Sequence, residues 1–312
     1  MMLKIGEVPV HNLFLIFGLI FGLLFLFLTP PFQVPDEEAH LYKSFHLSQG
    51  KIKADYSNIE PGIYIPNSLN QTTGAFVYLH YHAERKLQLS SVWQLLNGGV
   101  KGPPVFKDHI GTLSYPPFPY LVSALTIKIG DLTGASPLIW MYLGRIANLL
   151  VWLFLVYWAI RITPVHKWVF MALALMPMTI FLAGSLSADS FTIAISFLTI
   201  AFLFKYAFDP EKEMLEIRDL GLLLLLFISL TLSKQLYNLV ILLFLLIPSS
   251  KLGGRRNKIV IFVLMLLSVF VVQWSWSLLI GGPTQDVSAV STTQNSINSL
   301  LDPVKFLNLL EN

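Results

Sequence analysis

The sequence predicts an all-α polytopic membrane protein, a bundle of about seven transmembrane helices with one large polar loop after the first. Three observations carry that prediction. Hydrophobic residues make up 54% of the 312 residues and charged residues 12%, against roughly a quarter charged in soluble domains. The apolar residues gather in runs that cross, or nearly cross, a hydrocarbon core. Lysines and arginines concentrate in alternate connections between those runs, the bias that orients membrane proteins. A net charge of +3 gives no reason to expect a nucleic-acid partner. The absence of cysteine excludes disulfides, thiolate metal sites and cysteine nucleophiles.

The first span is the Leu/Phe/Ile tract from Leu13 to Leu28, within residues 13–29. It is longer than the apolar part of a signal peptide, and its Thr29-Pro30-Pro31 exit offers no small-x-small cleavage site. Gly18 and Gly22 form a G-x-x-x-G that permits close helix packing. Residues 30–137 are too polar to cross a bilayer and too long for a connector, so structure and function are expected there. Within them, Tyr120–Leu132 is apolar but short and interrupted by Lys128 and Asp131, which suits a helix lying in the membrane interface.

Six further runs occupy residues 138–280: Leu138–Ile160, Trp168–Gly184, Phe191–Phe208, Leu220–Leu232, Leu236–Pro248 and Ile259–Ile280. The Leu220 and Leu236 runs, about 13 residues each, fall short of the roughly 20 a span needs. A hairpin at Ser233-Lys234-Gln235 is favoured over one kinked helix, because the latter buries Lys234 in mid-membrane. The cytoplasmic connections are then Arg161–Lys167, Asp209–Asp219, which is mixed in sign, and the strongly basic Lys251–Lys258. They place the amino terminus in the cytoplasm and Ser185–Ser190 and Ser233–Gln235 outside. Residues 281–312 form a polar tail that reads as a loop awaiting another span.

The densest chemistry lies in Pro30-Pro31-Phe32-Gln33-Val34-Pro35-Asp36-Glu37-Glu38-Ala39-His40. Three prolines in six residues keep the chain extended before Pro35. Pro35 suits the first position of a helix whose first turn holds Asp36 and Glu37 near the positive dipole end. Helix capping is the plain reading. On the expected helix Asp36, His40, Lys43 and Leu47 share a face, and a carboxylate beside a histidine can act as a general base toward a hydroxyl. Oxygen ligands such as Asp36 and Asp189 also suit a divalent metal, Mg or Mn.

Asp189, in Ser185-Leu186-Ser187-Ala188-Asp189-Ser190, either caps a helix or adds a second acid to the same outer chamber. Tyr115, in Ser114-Tyr115-Pro116-Pro117, either anchors at headgroup level or walls a substrate groove. Arg145 and Lys234 are cations inside or at the edge of apolar runs. Such residues suggest a function and a partner, and a lipid phosphate is a suitable one. Lys128, His80, His82, Arg85 and His109 each read as solvated residues, and His80-Tyr81-His82 lacks the carboxylate pattern of a zinc site. No phosphate-cradling glycine loop occurs.

The Pro30–His40 run, followed by Leu47-Ser48-Gln49-Gly50, resembles the opening of a bacterial membrane-protein family of unknown function numbered 2142. Ser114-Tyr115-Pro116-Pro117, Gly144-Arg145, Pro177 with Ser187-Ala188-Asp189, and Ser233-Lys234 resemble it too. That family is grouped with the GT-C glycosyltransferases, polytopic enzymes that use polyprenyl-phosphate sugars. The resemblance implies a GT-C-like bundle in a bacterial inner or plasma membrane, with its active face outside. It implies a polyprenyl-phosphate sugar donor and an envelope glycan or protein acceptor. The catalytic acid of the first outer loop carries over to Asp36, with Glu37 as the adjacent candidate. His40, Tyr115, Arg145, Asp189 and Lys234 are then expected to bind substrate. A transporter or flippase of lipid-linked glycans, or a non-catalytic subunit of an envelope-polysaccharide complex, are the rival expectations.

Overall fold

The computed structural model describes residues 8–280, apart from 59, 80, 81, 83, 100 and 101. Residues 1–273 form one compact unit and 274–312 a second, of which the described part is the last turns of one helix. The expected tail at residues 281–312 and His80 lie outside the described residues.

Helix α1 (Val10–Leu28) ends where Pro30 and Pro31 remove backbone donors. It is followed by α2 (Glu37–Ser48), β1 (Gly62–Pro66), α3 (Asn67–Gly74), α4 (Leu89–Leu96), β2 (Pro104–Asp108) and α5 (Leu121–Leu132). Next come α6 (Pro137–Ile162), α7 (Lys167–Ala174), α8 (Pro177–Ala183), α9 (Ala188–Phe208), α10 (Ile217–Thr231), a 3₁₀ segment (Gln235–Leu246) and α11 (Arg255–Ile280). Among the described residues α1, α6, α9 and α11 are long and apolar enough to cross a membrane. The sequence led us to expect about seven such runs, and the remaining three depart from plain long helices for identifiable reasons.

The Trp168–Gly184 run is broken into α7 and α8 at Met176, which is extended (ψ 139) ahead of Pro177. A residue before proline is driven out of the helical region, and Pro177 then opens the new helix. The Leu220 and Leu236 runs do form a hairpin, with the 3₁₀ segment packed back on α10. A 3₁₀ helix rises more steeply per residue than an α-helix. The shorter 3₁₀ segment therefore matches the length of α10 beside it. The all-α expectation also needs amending. Strands β1 and β2 pair antiparallel, from Gly62 opposite Asp108 to Pro66 opposite Pro104, because Ile63 and Ile65 alternate with exposed Tyr64 across a half-buried ribbon.

Three cores result. Phe14, Leu149, Trp152, Val156 and Ala194 pack α1 and α9 around α6. Leu203, Phe227, Phe244 and Met265 join α9, α10, the 3₁₀ segment and α11. The polar loop has its own core, in which Phe32, Phe45, Ile63 and Phe76 close on Leu138 and Trp140 at the start of α6.

The helices share two ends. At one, Arg145 in α6 bonds backbone carbonyls at the end of α1, Asn148 bonds the Ser185–Ser187 turn before α9, and Lys234 after α10 meets Asp189. At the other, His11 in α1 packs edge-on against Tyr157 near the end of α6, with ring centroids 5.1 Å apart. There Lys251 Nζ donates to the Asp209 carbonyl and Lys258 Nζ to that of Leu245, each at 2.7 Å.

Candidate active site at the start of the second helix

The residues singled out in the sequence meet where α2 begins. Helix α2 starts at Glu37, two residues later than Pro35 at its first position would give. Asp36 flanks it in the left-handed region (φ 59, ψ 13) and makes no side-chain cap bond. Phe32 is also left-handed (φ 59) although fully buried. An aromatic residue at positive φ is strained, and such strain persists only where surrounding contacts over-determine it.

Those contacts come from the other acid. Glu37 is fully buried, and its two oxygens take four hydrogen bonds. Oε1 accepts from Arg145 Nε (2.7 Å) and the Leu186 backbone N–H (2.9 Å). Oε2 accepts from Arg145 Nη2 (2.6 Å) and the Phe32 backbone N–H (3.0 Å). Arg145, equally buried, directs its remaining N–H groups at carbonyls: Nη1 to Leu26 (2.9 Å) and Thr29 (2.8 Å), Nη2 to Pro30 (3.1 Å). Its five donors are all engaged, the full capacity of a guanidinium. The pair therefore ties together the end of α1, the proline loop, α6 and the turn before α9. It leaves Arg145 no donor for a phosphate and Glu37 no lone pair aimed at a substrate.

Asp36 has the opposite surroundings. Its carboxylate is exposed and forms no hydrogen bond or ion pair among the described residues. One turn on, His40 is 7% exposed, with Nδ1 2.8 Å from Tyr120 Oη. Burial pushes its pKa down, more than the negative charges of Asp189, Asp36 and Glu37 push it up, and Lys234 adds to the lowering. The imidazole is thus neutral at pH 7. Tyr120 itself is 2% exposed, with its pKa raised by burial.

Asp189 stands in the first turn of α9, whose cap is Ser187: the Ser187 Oγ accepts from the Asp189 N–H at 3.1 Å. The Asp189 side chain is free for other work and accepts from Lys234 Nζ at 2.6 Å. Both groups are partly exposed, 32% and 45%. Burial is the largest single influence on Lys234 and opposes its charge, but the hydrogen bond and the negative charge of Asp189, with Tyr237 and Tyr115, together outweigh it and raise its pKa. Tyr115, 39% exposed, and Tyr237 lie close enough to act on Lys234 electrostatically. Asp36, Glu37, Asp189 and Lys234 thus all lie within electrostatic reach of His40, and Tyr115 within reach of Lys234.

Several supporting residues, Lys43 apart, had no sequence signal of their own. Asn148 Nδ2 donates to the carbonyls of Ser185 (3.0 Å) and Ser187 (3.1 Å), fixing the turn that presents Asp189. Helix α2 is fastened to the segment leading into α5 by Thr112 Oγ1 on the Ala39 carbonyl (2.8 Å) and Lys43 Nζ on the Leu113 carbonyl (2.9 Å). Ser44 and Ser123 hydroxyls meet at 2.9 Å. Lys43 is fully buried, and burial lowers its pKa to about 8. Spacing on α2, with His40 and Ser44 four residues apart against Tyr120 and Ser123, is the one pattern that could have revealed this seam.

The peripheral candidates stay apart. His82 and His109 pair with their sequence neighbours Glu84 (2.8 Å) and Asp108 (3.1 Å). Arg85 Nη1 bonds the Tyr78 carbonyl. Among the described residues no group of three or more His, Asp or Glu side chains gathers in a form that could hold a metal ion. Comparison with curated proteins and with solved structures found no match. The family model of a predicted membrane protein, DUF2142, matches residues 19–309, and the chain therefore belongs to that family.

Proposed function

We propose that this chain is a membrane glycosyltransferase of GT-C type, moving a sugar from a polyprenyl-phosphate donor to an envelope glycan or protein. The observation that carries the reading is the exposed Asp36 carboxylate, which has no hydrogen bond or ion pair among the described residues and stands in the left-handed region within electrostatic reach of a neutral histidine. Asp36 takes the proton from an acceptor hydroxyl as its oxygen attacks the anomeric carbon. The bond from that carbon to the phosphate oxygen breaks, and a lipid phosphate leaves. Lys234, half-exposed, exchanges Asp189 for the phosphate and stabilises its growing charge. Glu37 and Arg145 position Asp36 rather than touch substrate. His40, anchored on Tyr120, supplies a neutral hydrogen-bonding wall, and Tyr115 lines the approach.

In this reading the chain crosses a bacterial inner membrane seven times, with the proline-broken pair α7–α8, α10 and the 3₁₀ segment as the short passes. The start of α1 lies on the cytoplasmic side with Arg161, Lys167, Lys251, Arg255, Arg256 and Lys258, and the site lies outside. The test is transfer by the reconstituted full chain from its lipid-linked donor. Asp36→Asn should lower the rate by about two to four orders of magnitude with unchanged protein in the membrane. Full activity would remove Asp36 from the mechanism. Movement of the donor across sealed vesicles with no covalent product would support a flippase instead.

A further inference from the structure

Two hollows meet at the carboxyl end of α2, away from Asp36. The first, about 590 Å³, is lined by His46, Lys51, Lys53, Asp55, Tyr56 and Tyr64. The second, about 420 Å³, is walled by Leu47, Pro117, Leu121, Ala124, Leu125 and Lys128. Gly50 and Ile52 line both, so one opens beside the other. The whole length of α2 separates them from Asp36, which flanks its opposite end.

The partition between them is built. Gly50, at φ 74, ends α2: its N–H bonds the Leu47 carbonyl (2.9 Å), and the Lys51 N–H bonds that of His46 (3.2 Å). This left-handed glycine closure satisfies the last carbonyls of the helix and fixes the exit direction. His46, 5% exposed, then holds the Lys53 carbonyl through Nε2 at 2.7 Å. Asp55 and Gly62 exchange two backbone hydrogen bonds, 2.8 and 3.0 Å. The segment carrying both lysines is thus pinned at each end.

The two hollows differ in chemistry. Lys51 and Lys53 are exposed and belong to no ion pair among the described residues. Asp55, the one acid in the lining, accepts the Ser57 N–H at 2.8 Å and stays ionised, but the two lysines outnumber it and the pocket is net cationic. Tyr64, 47% exposed, adds an aromatic wall. The second hollow is apolar apart from Ser48 and Lys128. It continues onto an exposed stripe of α5, where Leu121, Leu125, Ile129 and Leu132 are each more than half exposed at helical spacing. A cationic pocket abutting an apolar groove is complementary to an anionic amphiphile. The pocket is larger than a bare phosphate requires and lies in the size range of small-molecule sites with aromatic walls.

We infer that the paired hollows bind a membrane glycolipid with an acidic sugar head. Its chain lies in the groove against Leu121 and Leu125, and its head sits between Tyr64 and the two lysine ammonium groups. This is a second site, and binding there does not depend on the transferase reading.

The experiment titrates the full chain in nanodiscs with dodecyl glucuronide below its micelle concentration, alongside dodecyl maltoside, free glucuronic acid and phosphatidylglycerol. Dodecyl glucuronide should bind at least tenfold more tightly than any of the three. The double variant Lys51→Ala/Lys53→Ala should weaken it at least tenfold, and Leu125→Gln, at an exposed position, should weaken it severalfold. Equal binding of free glucuronic acid would remove the groove from the site. Equal binding of dodecyl maltoside would remove the lysines, and equal binding of phosphatidylglycerol would make it a general anionic-lipid contact. Unchanged affinity in both variants would overturn the proposal outright.

Discussion

Asp36 and Glu37 are chemically near-identical neighbours, and one backbone step separates solvent from a fully buried ion pair. Glu37 holds Arg145 by two parallel N–H···O bonds, the strong bidentate arrangement. Removing one partner leaves the other charge buried without compensation, which costs about 3–5 kcal/mol. Glu37→Gln and Arg145→Met are therefore expected to lower the unfolding temperature in detergent sharply. Asp36→Asn, at an exposed carboxylate, should leave it where it was. Loss of activity in Glu37→Gln without loss of stability would instead make Glu37 the reacting acid. The sequence exposed both carboxylates as candidates but not their division of labour. That division rests on an arginine 108 positions away, and on burial that no local pattern encodes. For the same reason Arg145 read as a phosphate ligand, since an intramembrane cation shows its need for a partner but not the partner's identity.

Helix α1 is placed by close approach. Gly18 and Gly22 face α6, where a Cβ on Gly22 would lie 2.5 Å from Leu149 Cδ1. Gly184, closing α8, sits against α1 so tightly that a Cβ there would lie 3.2 Å from both the Gly22 carbonyl oxygen and the Leu26 nitrogen. Backbone atoms cannot rotate aside as a leucine methyl can. Gly184→Val should therefore push α8 from α1, costing about 1–3 kcal/mol as overpacking does, and should disturb the adjoining Ser185–Ser187 turn. Gly221→Ala in α10, where nothing lies within 4 Å, should be neutral or slightly stabilising. Thermal unfolding of the two variants makes the comparison, and equal effects would deny the close contact. At this scale the sequence was legible where hydrophobic length and glycine spacing speak. The ends of α1, α6 and α9 fall within a few residues of their apolar runs. It was less legible at Pro177, whose break divides an apolar run of ordinary length, and in the loop. There β1 and β2 pair across the whole of α3 and α4, a contact that strand propensity alone does not announce.

Over the whole molecule, charge and chemistry separate along the helices. Arg161, Lys167, Lys251, Arg255, Arg256 and Lys258 lie in or beside the connections at the His11 end, where Lys251 and Lys258 bond backbone carbonyls. Asp36, Asp189 and Lys234 lie at the opposite end, with the folded loop over them. A membrane potential and an anionic inner leaflet act on such a distribution in one direction. The orientation it argues for is open to a clean measurement because the chain has no cysteine, so each introduced thiol is the sole target. Asn58, in the loop, and Glu213, between α9 and α10, are both exposed. An exposed thiol ionises near pH 8.5 and reacts readily with a maleimide. Asn58→Cys should be labelled in intact cells by a membrane-impermeant maleimide, and Glu213→Cys only after permeabilisation. Labelling in the reverse order would turn the molecule over and place Asp36 on the cytoplasmic side. A donor presented at the outer face could not then reach it, and the transferase reading would have to give way to chemistry with cytoplasmic substrates.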